Sequence, residues 1–265
     1  MTADSITPPA PQYPPGRNLL VGQTVLVTAA AGTGIGFAAA KRCLEEGARV
    51  FVSDIHERRL GEAVERLRAA GAQQVFSKSC DVTRQSDVNA LVSSAIETLG
   101  HIDVLINNAG LGGTANVVDM TDIEWSRVID VSLTSVMRMT RAILPHMQDR
   151  RRGAIVNNAS VLGWRAQAGQ SHYAAAKAGV MAFTRCAALE AAPHGVRINA
   201  VAPSIAMHAF LAKTTTPELL AELARREAFG RPAEVWEVAN AMIFLASDLS
   251  SYMTGEILSV SSQHP

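Results

Sequence analysis

The sequence predicts an α/β protein: one doubly wound domain, a seven-stranded parallel sheet with helices on both faces. Three observations predict it. Short β-branched runs alternate with longer Ala-, Leu-, Arg- and Glu-rich stretches of helical spacing. Most runs are nearly continuous apolar segments, as strands covered on both faces must be. No Gly/Ser linker, charge block or composition shift divides the chain after residue 18.

The elements follow in order. Residues 1–17 hold five of the eleven prolines, Pro8, Pro9, Pro11, Pro14 and Pro15. Proline fixes φ and removes a donor, so this stretch is expected to be an unfolded arm, dispensable for chemistry. The domain then fills 18–265. Strands are expected at TVLVT (24–28), RVFVSD (49–54), QVFSKS (74–79), IDVLIN (102–107), AIVNNAS (154–160), RINAVAP (197–203) and EILSVS (256–261). Helical spacing marks 35–46, 58–70, 85–99, 122–147, 174–192 and 232–245. Residues 204–230, with their own helical pattern at 217–228, read as a lid over the substrate, with Met207, Phe210, Leu211 and Phe229 as apolar lining. The same residues also suit a core.

Composition excludes several partners. The 265 residues carry 24 Lys+Arg against 24 Asp+Glu. A neutral chain lacks the positive field that nucleic acid or an anionic membrane attracts, so neither is expected as a partner. Cys43, Cys80 and Cys186 are far apart and without C-x-x-C spacing, which reads as reduced thiols. The histidines show no metal-ligand spacing, so no metal is expected. With neither a long apolar span nor a signal-peptide pattern, the expected location is cytoplasmic.

Between the first strand and first helix lies AAAGTGIG, with Gly32, Thr33, Gly34, Ile35 and Gly36. Glycines there let the chain turn sharply and approach a pyrophosphate, with helix amides aimed at the anion. Asp54 closes the second strand 20 residues after Gly34. There a carboxylate accepts from the adenosine ribose hydroxyls, the pattern of a dinucleotide-binding Rossmann fold. A plain strand-end or capping aspartate is the alternative. Because a carboxylate repels a 2′-phosphate, NAD(H) is favoured over NADP(H). Arg58 and Arg59 follow closely and would admit NADP if they folded back; a solvated helix face is their other reading.

Tyr173 and Lys177 are spaced i,i+4 in a helix-forming stretch, so they project from one face. A phenol titrating near 10 works at neutral pH only if its anion is stabilised, which a nearby ammonium does. Ser160, 13 residues before Tyr173, ends a strand and offers a hydroxyl to polarise a substrate oxygen.

From about Gly22 onward the chain resembles a short-chain dehydrogenase/reductase of the 3-oxoacyl thioester reductase type. The motifs are the loop ending GTGIG (32–36), Cys80-Asp81-Val82, Asn107-Asn108-Ala109-Gly110, Ser160, and Tyr173 with Lys177. The resemblance implies hydride transfer between a nicotinamide and a ketone or secondary alcohol. It also implies adenine contacts from Asp81 and Val82, a cofactor-lining segment at Asn108, Ala109 and Gly110, and ribose binding by Tyr173 and Lys177. Asn107 is either a participant or a structural turn residue.

Four departures stand out. The glycine loop opens one residue longer than usual. Ser132 occupies the place of an asparagine that helps hold a proton-relay water. Pro203-Ser204 replaces Pro-Gly beside the nicotinamide, and His208 stands where a threonine contacts the carboxamide. The chain ends SSQHP rather than in an acidic-Gly-Gly motif. His208 reads either as a substrate contact or as an exposed loop residue.

The segment 161–172 lies between two site residues and must pass over the nicotinamide end. Trp164 suits an apolar wall or packing against a helix; Arg165 suits an anionic group on the substrate. AAAGTGIG, NNASVLGWRAQ, SHYAAAKAGVMA and the terminal QHP together resemble reductases of bacterial steroid C/D-ring degradation, which act on CoA thioesters of an indane fragment. Two other functions compete: a noncatalytic dinucleotide-binding or redox-sensing protein, and a polyol or sugar dehydrogenase of the same fold. Family members pair their long helices across a two-fold, so a homodimer or homotetramer through 122–148 and 171–193 is expected.

Overall fold

Alternate residues along each inner strand enter opposite cores, which fixes a three-layer architecture. The computed structural model describes residues 11–71, 74–207, 211 and 216–263. Strands β1 (Thr24–Val27), β2 (Arg49–Asp54), β3 (Val75–Ser79), β4 (Val104–Asn107), β5 (Gly153–Asn158), β6 (Val196–Pro203) and β9 (Ile257–Val260) form one sheet in the order β3-β2-β1-β4-β5-β6-β9. All pairings within it are parallel. A two-residue pair, β7 (Ala206–Met207) and β8 (Ala233–Glu234), stands apart. The seven-stranded α/β fold expected from the sequence is therefore found, every strand in its place.

Val25, Val27, Val50, Val52, Val104 and Ile106 point into a core shared with helices α1 (Ile35–Glu45) and α2 (Glu57–Ala69) and with α8 (Val235–Ala246). Leu26, Phe51, Leu105 and Ile155 point the other way, into a core with α3 (Gln85–Leu99), α5 (Ser135–Asp149) and α6 (Ser171–Ala191). Such a period-two split is what a pleated strand imposes when both faces are covered.

One expectation is corrected. The single helix expected at 122–147 is α4 (Asp122–Ile129), a π-helical turn at Asp130–Thr134, and α5. A π turn adds a residue per turn and shifts the helix face, and Ser132 lies within it. Of the arm expected to be unfolded, residues 1–10 lie outside the described residues, and residues 11–17 have no regular structure but make contacts with α1. Tyr13 donates to Glu45 Oε2 and sits edge-on to Trp236 with ring centres 5.5 Å apart. Arg42 donates to the Pro14 carbonyl, and Glu46 accepts from the Arg17 and Leu19 amides. Proline content reports lost donors; it does not report partners that α1 supplies.

Candidate active site

The site forms at the carboxyl ends of the strands, where loops from β1, β4, β5 and β6 converge, the usual crevice of a doubly wound sheet. The glycine loop shows three distinct uses of glycine. Gly32 has φ +104°, a conformation open to it but strained for other residues. A Cβ on Gly34, the N-cap of α1, would meet nothing within 4 Å. A Cβ on Gly36 would stand 2.3 Å from the Ala29 carbonyl oxygen and 2.4 Å from Asn108 Nδ2, so only glycine lets α1 approach β1 and β4 this closely. Thr33 lies inside the loop and Ile35 begins α1.

Asp54 ends β2 and accepts from the Ala31 amide (3.2 Å) and the His56 amide (3.0 Å). Burial pushes its carboxyl above the ordinary range, while the Ala31 amide and the Arg59 charge pull it back. Asp81 accepts from both the amide and hydroxyl of Thr83, and Val82 packs at the edge of the α3 core. Asn108 donates to the Ala29 carbonyl and accepts from Asn158, tying the end of β4 to the glycine loop and to β5. Asn107 is structural: it donates to Asn157, which donates to Thr184, all buried.

Ser160 follows β5 and caps a short 3-10 turn at Val161–Gly163 by accepting from Leu162. Tyr173 lies in the first turn of α6 and lines the same cavity as Ser160. Lys177, one turn on and 2% exposed, donates to the Asn158 carbonyl at 2.6 Å. Loss of water pushes the Tyr173 phenol up to about 12, the Ser160 hydroxyl pulling the other way. The same loss brings the Lys177 ammonium down to about 8.

Ser160 and Tyr173 line a cavity of about 290 Å³ with Ile35, Asn158, Pro203 and Ser204, so the glycine-loop helix and both polar side chains meet at one space. Arg165 lines it too; Trp164 does not, and is 41% exposed. Of the lid, Leu211 and, from helix α7 (Pro217–Arg226), Leu223 and Arg226 reach the cavity, whereas Phe229 is 56% exposed. Met207 is not among the lining residues. His208 and Phe210 fall outside the described residues. Sequence reasoning missed Glu227 and Gln263, 36 residues apart, which line the same cavity and bond each other; no motif announces such a pair. It also missed the 112–115 loop, which Gln170 pins to the start of α6 through the Gly113 carbonyl.

Ser132 was expected to take part in proton relay. Its hydroxyl donates to the Leu111 carbonyl (2.8 Å) and accepts from the Leu111 amide (2.9 Å), so both directions are taken up by one residue. It stands beside Gly110, whose added Cβ would lie 3.4 Å from Lys177 Nζ and 3.9 Å from Ser132 Oγ. The side chain here braces the loop after β4.

The arrangement fits a nicotinamide dinucleotide on three points of geometry. A Cβ added at Gly32 or Gly34 would meet nothing within 4 Å, so space is open beside the loop; Asn158 Oδ1 is buried and has no hydrogen-bond partner among the described residues; and one of three Lys177 donors is taken by a described protein acceptor. Comparison with known proteins agrees. The family model described as enoyl-(acyl carrier protein) reductase matches residues 29–262. The chain belongs to the short-chain dehydrogenase/reductase family and is an oxidoreductase of that family, whose members bind a nicotinamide dinucleotide.

Particular relatives are similar over nearly their whole length. A Mycobacterium tuberculosis protein named (5R,7aS)-5-hydroxy-7a-methyl-1-oxo-2,3,5,6,7,7a-hexahydro-1H-indene-carboxyl-CoA reductase is 63% identical over 257 residues, covering 97% of this chain and 98% of its own. A 3-oxoacyl-acyl-carrier-protein reductase of Chlamydia trachomatis is 36% identical over 242 residues, covering 91% and 97%. The crystal structure of a short-chain dehydrogenase from Mycobacterium smegmatis superposes with a TM-score of 0.87 at 57% identity, covering 97% of this chain and 99% of that one. Among the described residues no helix is long and apolar enough to cross a membrane.

Proposed function

We propose that this protein interconverts a ring ketone and its secondary alcohol on a CoA thioester of a bicyclic indane-type acid, with NAD(H) as redox partner. The observation that carries it is the meeting of Ser160 and Tyr173 at one cavity, with Lys177 buried one helical turn beyond Tyr173. The 63% identity to a protein named for such a thioester supplies the substrate class. That relative's compound bears a ring hydroxyl, a ring oxo group and the CoA thioester.

When bound, the nicotinamide supplies or accepts the hydride. The chain does the rest. Ser160 donates to the reacting oxygen and holds it against the Tyr173 hydroxyl. Tyr173 gives its proton to that oxygen in reduction and takes it back in oxidation. Its phenol, held at about 12 without cofactor, keeps the proton at neutral pH and so starts as the acid. Lys177 holds a ribose hydroxyl with its remaining donors and stabilises the phenolate that forms. Gly32, Thr33, Gly34, Ile35 and Gly36 bind the diphosphate through backbone amides, Asp81 and Val82 flank the adenine, and Asn108, Ala109, Gly110, Pro203 and Ser204 line the nicotinamide half. Helix α7 caps the cavity and excludes water.

NAD(H) is preferred because Asp54 presents a negative charge at the end of β2, held there by the Ala31 amide. Titration with each cofactor tests this: NADH is expected to bind more tightly than NADPH, and Asp54→Ser to reverse or erase the preference. Spectrophotometric assay against hydroxy-oxo-indene carboxyl-CoA and straight-chain 3-oxoacyl-CoA tests the substrate, with faster turnover expected for the former. The exposed Val117, Val118, Ile123, Trp125 and Leu189 lie on or beside α4 and α6 and suit self-association to a dimer or tetramer. Size-exclusion chromatography checks that.

A further inference from the structure

Arg165 is held in the cavity wall by a chain of contacts through Gln263 that leaves one of its nitrogens without a partner among the described residues. Its amide donates to the Val161 carbonyl at 2.9 Å, which fixes the backbone of the loop. Its Nη1 donates to the side-chain oxygen of Gln263. Gln263 Nε2 donates in turn to Glu227 Oε1 at 2.6 Å, and Glu227 Oε2 accepts from the hydroxyl and amide of Ser262. Glu227 is only 4% exposed, so its charge is buried and its acceptors are filled by this set. Arg165 Nη2 is buried, and no acceptor reaches it among the described residues. Arg165, Glu227, Gln263, Ser160 and Tyr173 line the same cavity. A buried donor with no acceptor carries a desolvation cost that a ligand oxygen would remove.

We propose that Arg165 Nη2 binds a second, uncharged carbonyl oxygen of the substrate, distinct from the oxygen that reacts at Ser160 and Tyr173, with Gln263 and Glu227 as its positioning residues. This rests on the reading of the cavity as the substrate site. The oxygen is uncharged because the buried Glu227 carboxylate, one side chain behind Arg165, already offsets the guanidinium charge and would repel a second anion. A ring ketone satisfies Nη2 without opposing Glu227; a carboxylate would not. Orientation follows: two fixed oxygen contacts on one rigid bicycle present one face of the reacting carbon.

The test uses two thioesters, the hydroxy-oxo-indene carboxyl-CoA and its analogue in which the ring oxo group is a methylene. Binding to the wild-type protein loaded with cofactor is measured by calorimetry, and KM and kcat by absorbance. The oxo compound is expected to bind about 10- to 100-fold more tightly, the range of a hydrogen bond to a charged group. Arg165→Met should raise its KM by that factor with kcat changed far less, leave the analogue's KM unaltered, and so abolish the discrimination. Gln263→Ala should narrow the discrimination while Arg165 remains. An analogue carrying a carboxylate in place of the oxo group should bind more weakly than the oxo compound. Equal wild-type binding of oxo and methylene compounds overturns the Arg165 assignment and leaves the substrate class standing. Failure of both to bind overturns the substrate class and this assignment together. Should Arg165→Met not fold, the wild-type comparison alone decides.

Discussion

The Lys177 ammonium lies 5.5 Å from the centre of the Tyr173 ring, one helical turn away, and donates to the Asn158 carbonyl. The lysine is thus aimed by β5 as much as by its own helix. Both groups are buried enough to disfavour their charged forms, which opposite shifts of a phenol and an ammonium record. Below pH 8 the lysine carries its charge while the phenol carries none, so the pair is held ready for a phenolate.

Tyr173→Phe removes the proton donor and leaves its ring in place. Turnover is expected to fall by about 10²- to 10⁴-fold while the cofactor Kd stays nearly constant. Steady-state rates beside a fluorescence titration check both halves; near-full activity would reassign the donor.

Lys177→Met should stabilise the cofactor-free protein at pH 7 while abolishing turnover. The folded chain holds Lys177 at about 8 against 10.5 for a free lysine. Between those values the unfolded state binds more protons, so wild-type stability contributed by this group rises with pH. Below pH 8 the whole cost is present, about 3 kcal/mol from the spacing of the two values, offset by about 1 kcal/mol for the bond to Asn158. Urea melts should show the variant ahead by about 2 kcal/mol at pH 7, the lead shrinking as pH climbs from 8 toward 10.5. A less stable variant at pH 7 contradicts this.

Gly36→Ala and Gly34→Ala should separate folding from binding. The first drives a methyl into the Ala29 carbonyl and the Asn108 amide, costing about 1–3 kcal/mol. The second enters open space with φ −85°, so its melting temperature should hold while its cofactor Kd rises. Thermal melts and cofactor titration of both variants read the contrast directly.

Glu46→Ala should be among the most damaging changes far from the cavity. Glu46 is 1% exposed, accepts from Arg42 at 2.6 Å and also caps the Arg17 and Leu19 amides. Removing it leaves Arg42 with Glu45 as its remaining carboxylate and the Arg17 and Leu19 amides without their acceptor, a loss of about 1–3 kcal/mol. Deleting residues 1–16 should lower the melting temperature less and leave KM unchanged. Denaturation midpoints and assays on both proteins test the ranking.

The strands were legible because parallel strands covered on both sides must be almost wholly apolar, and VLV, VFV and VLI stand out from any background. Ser160, Tyr173 and Lys177 were legible because their spacing carries a chemical requirement. The π turn at Asp130–Thr134 was hidden, since helical periodicity runs on through it and the extra residue changes phase by less than the pattern resolves. Trp164 and Arg165 are neighbours in one loop, and only the fold decides that the arginine faces the cavity. The role of Ser132 turned on a backbone group 21 residues away, at Leu111, and that of Gln263 on Glu227. Contacts of that kind leave no local trace.

Strand β1 has two neighbours made at very different times. The Thr24 amide and hydroxyl both bond to Asp103, 79 residues later, and Val25 to Val27 pair with Val104 to Ile106. At a synthesis rate of about 5–20 residues per second, the inner edge of β1 waits roughly 4–16 s for its partner. During that interval the nascent chain presents an apolar strand with open backbone donors and acceptors, the form most prone to pair with the wrong molecule. The moment of greatest risk to this protein therefore comes during translation, before half the chain exists, and chaperone capture would be most productive there.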